Sequence, residues 1–370
     1  MIFTNENKPF VRNHGCSVNV PVVVRLTNHI LGSIGMIRLA LAPHFISQQF
    51  HGNLECPFNI QFINMEKTLS TDDVPPQFLK AAYLVGHVPL KALASDARIS
   101  YTLYIPPTHY KTGPNAKKLP LLVWIHSTRR KLDAIDGGDL VSFAESTPCA
   151  ILAPLFPAGL DGPNDLDSYK SMRSKTLRSD LALLSMLDEI APRWPGLETD
   201  KLFMLGFSGG GQFAHRFLYL HPERLVGISV GAPGRATALD PTLNWPNGIA
   251  DLESLFGLAV DKQLIRRVAI QLAVGSNDNE VHGGNEFWEW LQKVKGKEPK
   301  LSEGGYLATM GQGRLQTLLD LQAAWKSDGI NSQLDIVEGA AHEAGKVRPC
   351  QLQFLWPLIQ AAFHSTTNIV

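Results

Sequence analysis

Short apolar runs alternate with longer stretches of helical spacing over most of the chain after residue 95. Residues 98–105 alternate polar and apolar side chains, as an edge strand does, and end at two prolines. Continuous apolar runs predict further buried strands at 120–125, 150–153, 202–205, 225–230, 268–274 and 334–337. Between them, a predicted helix at 176–190 carries leucines at helical spacing. Alternating β and α elements predict an α/β fold, with a mostly parallel sheet covered by helices on both faces.

A glycine-rich turn follows the run at 202–205. Residues 206–210 read GFSGG, which places Ser208 in a G-x-S-x-G turn between a predicted strand and a predicted amphipathic helix at 212–220. This is the pattern of a nucleophile elbow, in which glycines let the strand fold tightly against the helix. The amide of Gly209 would lie at the helix N-terminus, where it can hold an oxyanion. A solvated serine in a glycine-rich turn is the alternative.

A serine nucleophile requires a histidine base and an acid, which in such folds follow in the chain order Ser, Asp/Glu, His. Asp278 comes directly after the predicted strand at 268–274, and His342 lies in the loop after the last predicted strand. The carboxyl ends of parallel strands share one edge of the sheet, so both side chains are expected near Ser208. Glu280 competes for the role of the acid, and Asp240 is a weaker candidate.

The chain resembles the α/β-hydrolase superfamily in four segments: LPLLVWIHSTRR, KLFMLGFSGGGQFAHRFLYLHPERLVGISVGAPG, VAIQLAVGSNDNE and SQLDIVEGAAHE. Within it, the chain is similar to esterases such as polyhydroxybutyrate depolymerases and feruloyl esterases, over about residues 95 to 365. The resemblance implies an α/β-hydrolase fold and hydrolysis of a small-molecule ester by Ser208, Asp278 and His342. It implies no metal and no organic cofactor. The same triad also supports cleavage of thioesters or lactones and acyl transfer.

The second arm of the oxyanion hole is expected in the loop that follows the strand at 120–125 and begins His126-Ser127-Thr128. Relatives usually carry a glycine after this histidine. Here Ser127 is expected to supply the amide, and the hydroxyl of Ser127 or Thr128 could add a donor. The departure keeps a second hypothesis open, that of a hydrolase-fold ligand-binding protein whose catalysis has decayed.

Two arginines follow that loop at once. Arg129 and Arg130 would place two cations at the mouth of the cleft, where they would favour a substrate bearing a carboxylate. The alternative is that both are solvated surface residues.

Aromatic residues in predicted loops offer a pocket for an apolar acyl or aryl group. Phe156 follows the run at 150–153, and Trp288 and Trp290 lie in a predicted insertion at 281–312. A second predicted insertion spans 240–258. These aromatic side chains could instead form the small core of a cap.

Composition agrees with one large catalytic domain, predicted at residues 81–370. The chain has 370 residues, of which 44% are hydrophobic, and its 34 basic residues balance its 34 acidic ones. That balance gives no electrostatic case for binding nucleic acid or an anionic membrane. The four cysteines are widely scattered without metal-site or redox spacing, which favours a reduced, cytoplasmic setting.

Residues 1–80 match no part of the hydrolase pattern and are expected to form an extension, unless Met65 is the true start. Among the first 64 positions only Glu6 and Glu55 are acidic, a bias that a mitochondrial targeting segment would also show. The apolar stretch at 30–42 is too short for a membrane span and is broken by Arg38.

Overall fold

A computed structural model of the chain describes residues 68–113, 115–279 and 313–365. The described strands are β1 Gly86–Leu93, β2 Asp96–Ile105, β3 Leu119–Ile125, β4 Ala150–Leu155, β5 Leu197–Phe207, β6 Leu225–Gly231, β7 Ala269–Gly275 and β8 Gln333–Val337. The described α-helices are α1 Asp139–Ser146, α2 Ser179–Arg193, α3 Gly209–Leu220, α4 Leu252–Phe256, α5 Lys262–Ile265, α6 Arg314–Ser327 and α7 Ala344–Ser365.

The strands form one sheet in the order β1-β2-β4-β3-β5-β6-β7-β8. β2 pairs antiparallel with both of its neighbours, and every other pairing is parallel. The predicted mostly parallel sheet is therefore confirmed. Because β3, β5, β6, β7 and β8 run in the same direction, the loops that follow them meet at one edge of the sheet.

Side chains of β3 alternate between two apolar cores, one on each face of the sheet. Leu121 and Val123 contribute to the core beneath α2, α3 and α6, whereas Leu122 and Trp124 contribute to the core beneath α1 and α7. The sheet is thus covered on both faces, as the continuous apolar runs predict for parallel strands.

The edge of the sheet differs from the prediction. Residues 98–105 were expected at the edge, yet they belong to β2, and β1 lies outside them. The alternating pattern has another cause, which is that the two faces of β2 are buried to different extents. Ile99, Tyr101 and Leu103 are fully buried, while Ser100 and Tyr104 on the opposite face are only partly covered. β1 contains a proline and a lysine and has no clear alternation, so its sequence carries little strand signal.

α3 has the predicted amphipathic sequence, but all twelve of its residues are buried. Its polar face is covered by the chain that follows β6. Arg216 donates to Thr237 Oγ1 at 2.8 Å, and its guanidinium lies 5.9 Å from the centre of the Trp245 ring. Tyr219 accepts a hydrogen bond from Trp325 of α6 at 2.7 Å. The predicted insertion at 240–258 therefore packs on the helix that follows the elbow.

The described chain begins shortly before β1. Thr71 Oγ1 and the Tyr110 hydroxyl lie 2.7 Å apart, and Leu79 is buried in the larger core, so residues 71–79 contact the sheet domain. The division predicted at residue 80 stays a prediction, since residues 1–67 lie outside the described part.

None of the described helices is both long enough and apolar enough to cross a membrane.

Candidate active site

Ser208 lies between β5 and α3 with φ 59° and ψ −114°. A positive φ is rare for a residue with a side chain and costs on the order of 1–3 kcal/mol, so the surrounding structure must enforce it. Two main-chain hydrogen bonds do so: the Ser208 amide donates to the Gly231 carbonyl at 2.9 Å, and the Ser208 carbonyl accepts from the Gln212 amide at 3.0 Å. The strained turn is the geometry expected of a nucleophile elbow.

The glycines on either side of Ser208 are required by close contact. A Cβ atom on Gly206 would collide with the carbonyl oxygen of Gly210, and a Cβ atom on Gly210 would collide with that of Ile125. The turn can therefore be this tight only because both positions lack side chains.

His342 and Asp278 meet at the same edge of the sheet, as the sequence predicts. His342 Nδ1 lies 2.7 Å from Asp278 Oδ2, and Asp278 is only 2% exposed. The two loops are joined by a main-chain hydrogen bond from Asn277 to the Ala340 carbonyl at 2.9 Å. A neutral imidazole that donates from Nδ1 keeps Nε2 unprotonated, which is the form that a general base needs.

The imidazole of His342 packs beside the elbow. Its ring centre lies 4.7 Å from that of Phe207, the residue before Ser208. Among the described residues no hydrogen bond joins His342 to Ser208; in unliganded sites this contact is often long and tightens when substrate binds. Burial lowers the pKa of His342, and the charges of Arg314 and Arg129 lower it further, whereas Asp278 opposes them.

His126 is completely buried and begins the loop at residues 126–130, which we call the His126 loop. Its Nδ1 lies 2.8 Å from the Ser127 carbonyl, and its Nε2 accepts a hydrogen bond from the Phe156 amide at 3.1 Å. This pair of contacts requires the proton on Nδ1. Burial lowers the pKa of His126 to about 4, so the ring stays neutral and keeps this tautomer at neutral pH.

The peptide between Ser127 and Thr128 is held in one orientation. The Ser127 carbonyl accepts from His126 and from the Arg130 amide, the latter at 3.0 Å. In a trans peptide the next N–H points the opposite way. Thr128 N indeed lies 2.8 Å from the position that a Cβ atom on Gly209 would occupy. The amide beside Gly209 is therefore that of Thr128, one residue after the predicted Ser127.

Comparison with known proteins identifies the architecture. No protein-family profile matches the sequence, and no curated protein does. The structure is similar to poly(aspartic acid) hydrolase-1 from Sphingomonas sp. KT-1, with 18% identity, a TM-score of 0.54 and coverage of 74% of this chain and 99% of that one. It is also similar to a poly(3-hydroxybutyrate) depolymerase from Bordetella parapertussis, with 19% identity, a TM-score of 0.51 and coverage of 77% and 95%. The chain has the α/β-hydrolase fold. The resemblance inferred from the quoted segments is thus confirmed for the fold.

Arg314 joins the His342–Asp278 pair, a contact that the sequence did not predict. Its Nη1 donates to Asp278 Oδ1 at 3.1 Å, and both side chains are buried. Arg314 is the first residue of α6, where a cation is opposed by the positive end of the helix dipole. A cation at the start of a helix is stable only beside an anion. A basic residue at this position was therefore the one feature of the sequence that could have indicated the contact.

Replacing Arg314 should change the pH dependence of any reaction that uses His342 as a base. Arg314→Met removes a charge that lowers the pKa of His342, so the acidic limb of kcat/KM should move to higher pH. Arg314→Lys keeps the charge and should stay closer to the wild type. The measurement is kcat/KM against pH for all three proteins. If Arg314→Met moved the limb to lower pH or left it in place, the inferred effect of Arg314 on the base would be wrong.

A buried lysine supports the His126 loop. Lys170 Nζ donates to Thr128 Oγ1 at 3.2 Å and pairs with Asp167 at 2.7 Å. The hydroxyl of the neighbouring Tyr169 donates to the His126 carbonyl at 3.3 Å. Burial lowers the pKa of Lys170, and Asp167 opposes that effect. No motif in the sequence marked these residues, because their partners are distant along the chain.

Two of the predicted substrate-binding residues have structural roles instead. Arg130 donates to the carbonyls of Phe156, Thr128, Pro157 and Leu166. Its guanidinium is therefore engaged with main-chain oxygens that need a donor, and it is not a cation available to substrate.

Phe156 is likewise not a pocket wall. It is fully buried, and its ring stacks on those of Tyr169 and Phe213 at centre distances of 5.9 and 5.1 Å. An aromatic residue directly after a buried strand enters the core here rather than the cleft, because α3 packs against it.

The other candidates are placed as follows. Arg129 is exposed. Asp240 carries a carboxylate that accepts from its neighbour Thr242 at 2.8 Å, and Asp278 holds the bond to His342. Glu280, Trp288 and Trp290 lie outside the described residues, so their predicted roles stay predictions.

Proposed function

We propose that this chain is a serine hydrolase that cleaves carboxylic esters of small molecules. The observation that carries the proposal is the strained Ser208 at the elbow, beside an imidazole whose Nδ1 is 2.7 Å from the buried Asp278. A decayed ligand-binding protein would not require a buried acid hydrogen-bonded to a histidine at the nucleophile elbow, and that pair favours catalysis.

In the proposed reaction, His342 Nε2 takes the proton of the Ser208 hydroxyl as its oxygen attacks the ester carbonyl carbon. Asp278 accepts a hydrogen bond from Nδ1 and stabilises the imidazolium that forms. The tetrahedral oxyanion is held by two amides, those of Gly209 and Thr128. His342 then gives its proton to the departing alcohol, which leaves the acyl group on Ser208. In the second half, His342 takes a proton from water as the water oxygen attacks the acyl carbon; the bond to Ser208 Oγ breaks, the carboxylic acid leaves, and the proton returns to Ser208.

The second donor is assigned to Thr128 rather than to the predicted Ser127 because of the peptide orientation. His126 and Arg130 both donate to the carbonyl between these residues and so fix this peptide, and Thr128 N lies 2.8 Å from the position that a Cβ atom on Gly209 would occupy. A glycine after His126 is then not needed to orient this amide, since the side chains of His126 and Arg130 hold the loop by hydrogen bonds to its carbonyls.

The solved structures of similar fold support hydrolysis as the class of reaction. One is described as a poly(aspartic acid) hydrolase and the other as a poly(3-hydroxybutyrate) depolymerase. The proposal takes from them only the reaction class.

A series of p-nitrophenyl esters tests the proposal directly. We expect release of p-nitrophenol from one or more esters of acetyl to decanoyl chain length, and none above background with Ser208→Ala. The chain length of highest kcat/KM reports the depth of the acyl pocket. If no ester in the series is cleaved faster by wild type than by Ser208→Ala, the proposed function is wrong.

A further inference from the structure

Cations gather around the His126 loop although the chain as a whole is neutral, with 34 basic and 34 acidic residues. Lys170 and Arg130 both donate to Thr128. Arg216 and Arg235 lie close enough that their charges lower the pKa of Lys170. Positive charge is therefore concentrated on the side of the cleft that would receive the ester carbonyl.

The acidic residues that the structure describes near this loop already have hydrogen-bond or ion-pair partners. Asp167 pairs with Lys170 at 2.7 Å, and Asp278 pairs with Arg314 at 3.1 Å. The carboxylate of Asp165 accepts hydrogen bonds from main-chain amides and a hydroxyl of its own loop. Among the described residues, cations therefore outnumber acidic residues around the loop, and such an excess attracts anionic ligands.

Arg129 is a cation that faces solvent at this edge. It is exposed, and it makes no ion pair or hydrogen bond with any residue in the ranges 68–113, 115–279 and 313–365. Arg130 has a positive φ of 57°. Its guanidinium donates to the carbonyls of Phe156 and Thr128, whereas the side chain of Arg129 is exposed to solvent. The charge of Arg129 still acts on His342, so it lies within electrostatic reach of the proposed base.

Resting on the proposed ester hydrolysis, we propose that the substrate carries a carboxylate in its acyl part and that Arg129 binds this carboxylate. Thr128, whose amide would hold the carbonyl oxygen, is the adjacent residue, at about 3.8 Å between Cα atoms. A carboxylate bound to the side chain of the next residue would lie within a few bonds of the ester carbonyl, as in a half-ester of a short dicarboxylic acid. A planar guanidinium can bind it with two parallel hydrogen bonds.

The test compares two esters of similar length, monomethyl glutarate and methyl pentanoate, with methanol release as the readout. The quantity is the ratio of their kcat/KM values, measured for wild type, Arg129→Gln and Arg129→Glu. Any effect of Arg129 on the base His342 acts on both esters alike and cancels in the ratio. Arg267→Gln is the matched control, because Arg267 is also exposed but precedes β7 at the opposite edge of the sheet.

We expect Arg129→Gln to lower the ratio by about tenfold to a hundredfold, the scale for a hydrogen-bonded ion pair. Arg129→Glu should lower it further, and Arg267→Gln should leave it unchanged. If methyl pentanoate is cleaved but both Arg129 variants keep the wild-type ratio, the carboxylate site is wrong while the proposed function stands. If wild type cleaves neither ester and a fluorophosphonate does not label Ser208, the proposed function fails, and this inference fails with it.

Discussion

Ser208→Ala should lower kcat/KM for ester hydrolysis by about a millionfold, the scale found when the nucleophile of a triad is removed. The effect is so large because the hydroxyl oxygen forms the covalent bond to the acyl group, and no other group replaces it. The fold should persist: alanine keeps the Cβ atom, and the hydrogen bonds that enforce the positive φ belong to the main chain. We expect the unfolding temperature to stay close to that of wild type.

Ser254→Ala is the matched control for this variant. Ser254 is an exposed serine on α4, and its hydroxyl donates to the Asp251 carbonyl. Ester hydrolysis by this control should equal that of wild type. Residual turnover by Ser208→Ala above about one thousandth of the wild-type rate would mean that another group is the nucleophile.

Asp278→Asn should lower kcat by about ten-thousandfold, because an amide in place of the carboxylate favours the wrong tautomer of His342. It should also destabilise the protein. Asp278 is buried and accepts from both His342 and Arg314, so its neutral replacement leaves the Arg314 guanidinium without the carboxylate at 3.1 Å. Breaking a buried ion pair in this way costs about 3–5 kcal/mol of unfolding free energy. Chemical denaturation and single-turnover kinetics measure the two effects separately.

Two further variants complete the test of the acid. Asp240→Asn changes a half-buried carboxylate whose oxygen accepts from Thr242, a contact that asparagine keeps, and it should leave activity and stability unchanged. Glu280→Gln changes the rival acid, and we expect activity near that of wild type. An inactive Glu280→Gln beside a nearly normal Asp278→Asn would reverse the assignment.

Local sequence patterns predicted most strands of the sheet and the candidate residues Ser208, Asp278 and His342. Continuous apolar runs gave β3 through β8 because parallel strands covered on both faces leave little room for polar side chains. The G-x-S-x-G turn is equally local, since the clash that Gly206 avoids is with Gly210, only four residues away. The placement of Asp278 and His342 at one edge followed from strand direction alone.

What the sequence did not predict depends on partners far apart along the chain. Arg314 contacts Asp278 across 36 positions, and Lys170 contacts Thr128 across 42. Arg130 was predicted as a cation at the cleft, but four carbonyls brought near by the loop after β4 engage it. No periodicity encodes such contacts, because they arise only when loops from different strands meet.

Labelling with a fluorophosphonate, followed by peptide mapping in a mass spectrometer, tests the central claim most directly, because it asks whether Ser208 is an activated nucleophile without requiring the natural substrate. We predict a single covalent adduct on the peptide that contains Ser208. Labelling should be much slower in His342→Ala, whose serine has lost its proposed base. An unlabelled wild-type protein, or an adduct on any other residue, would contradict the account.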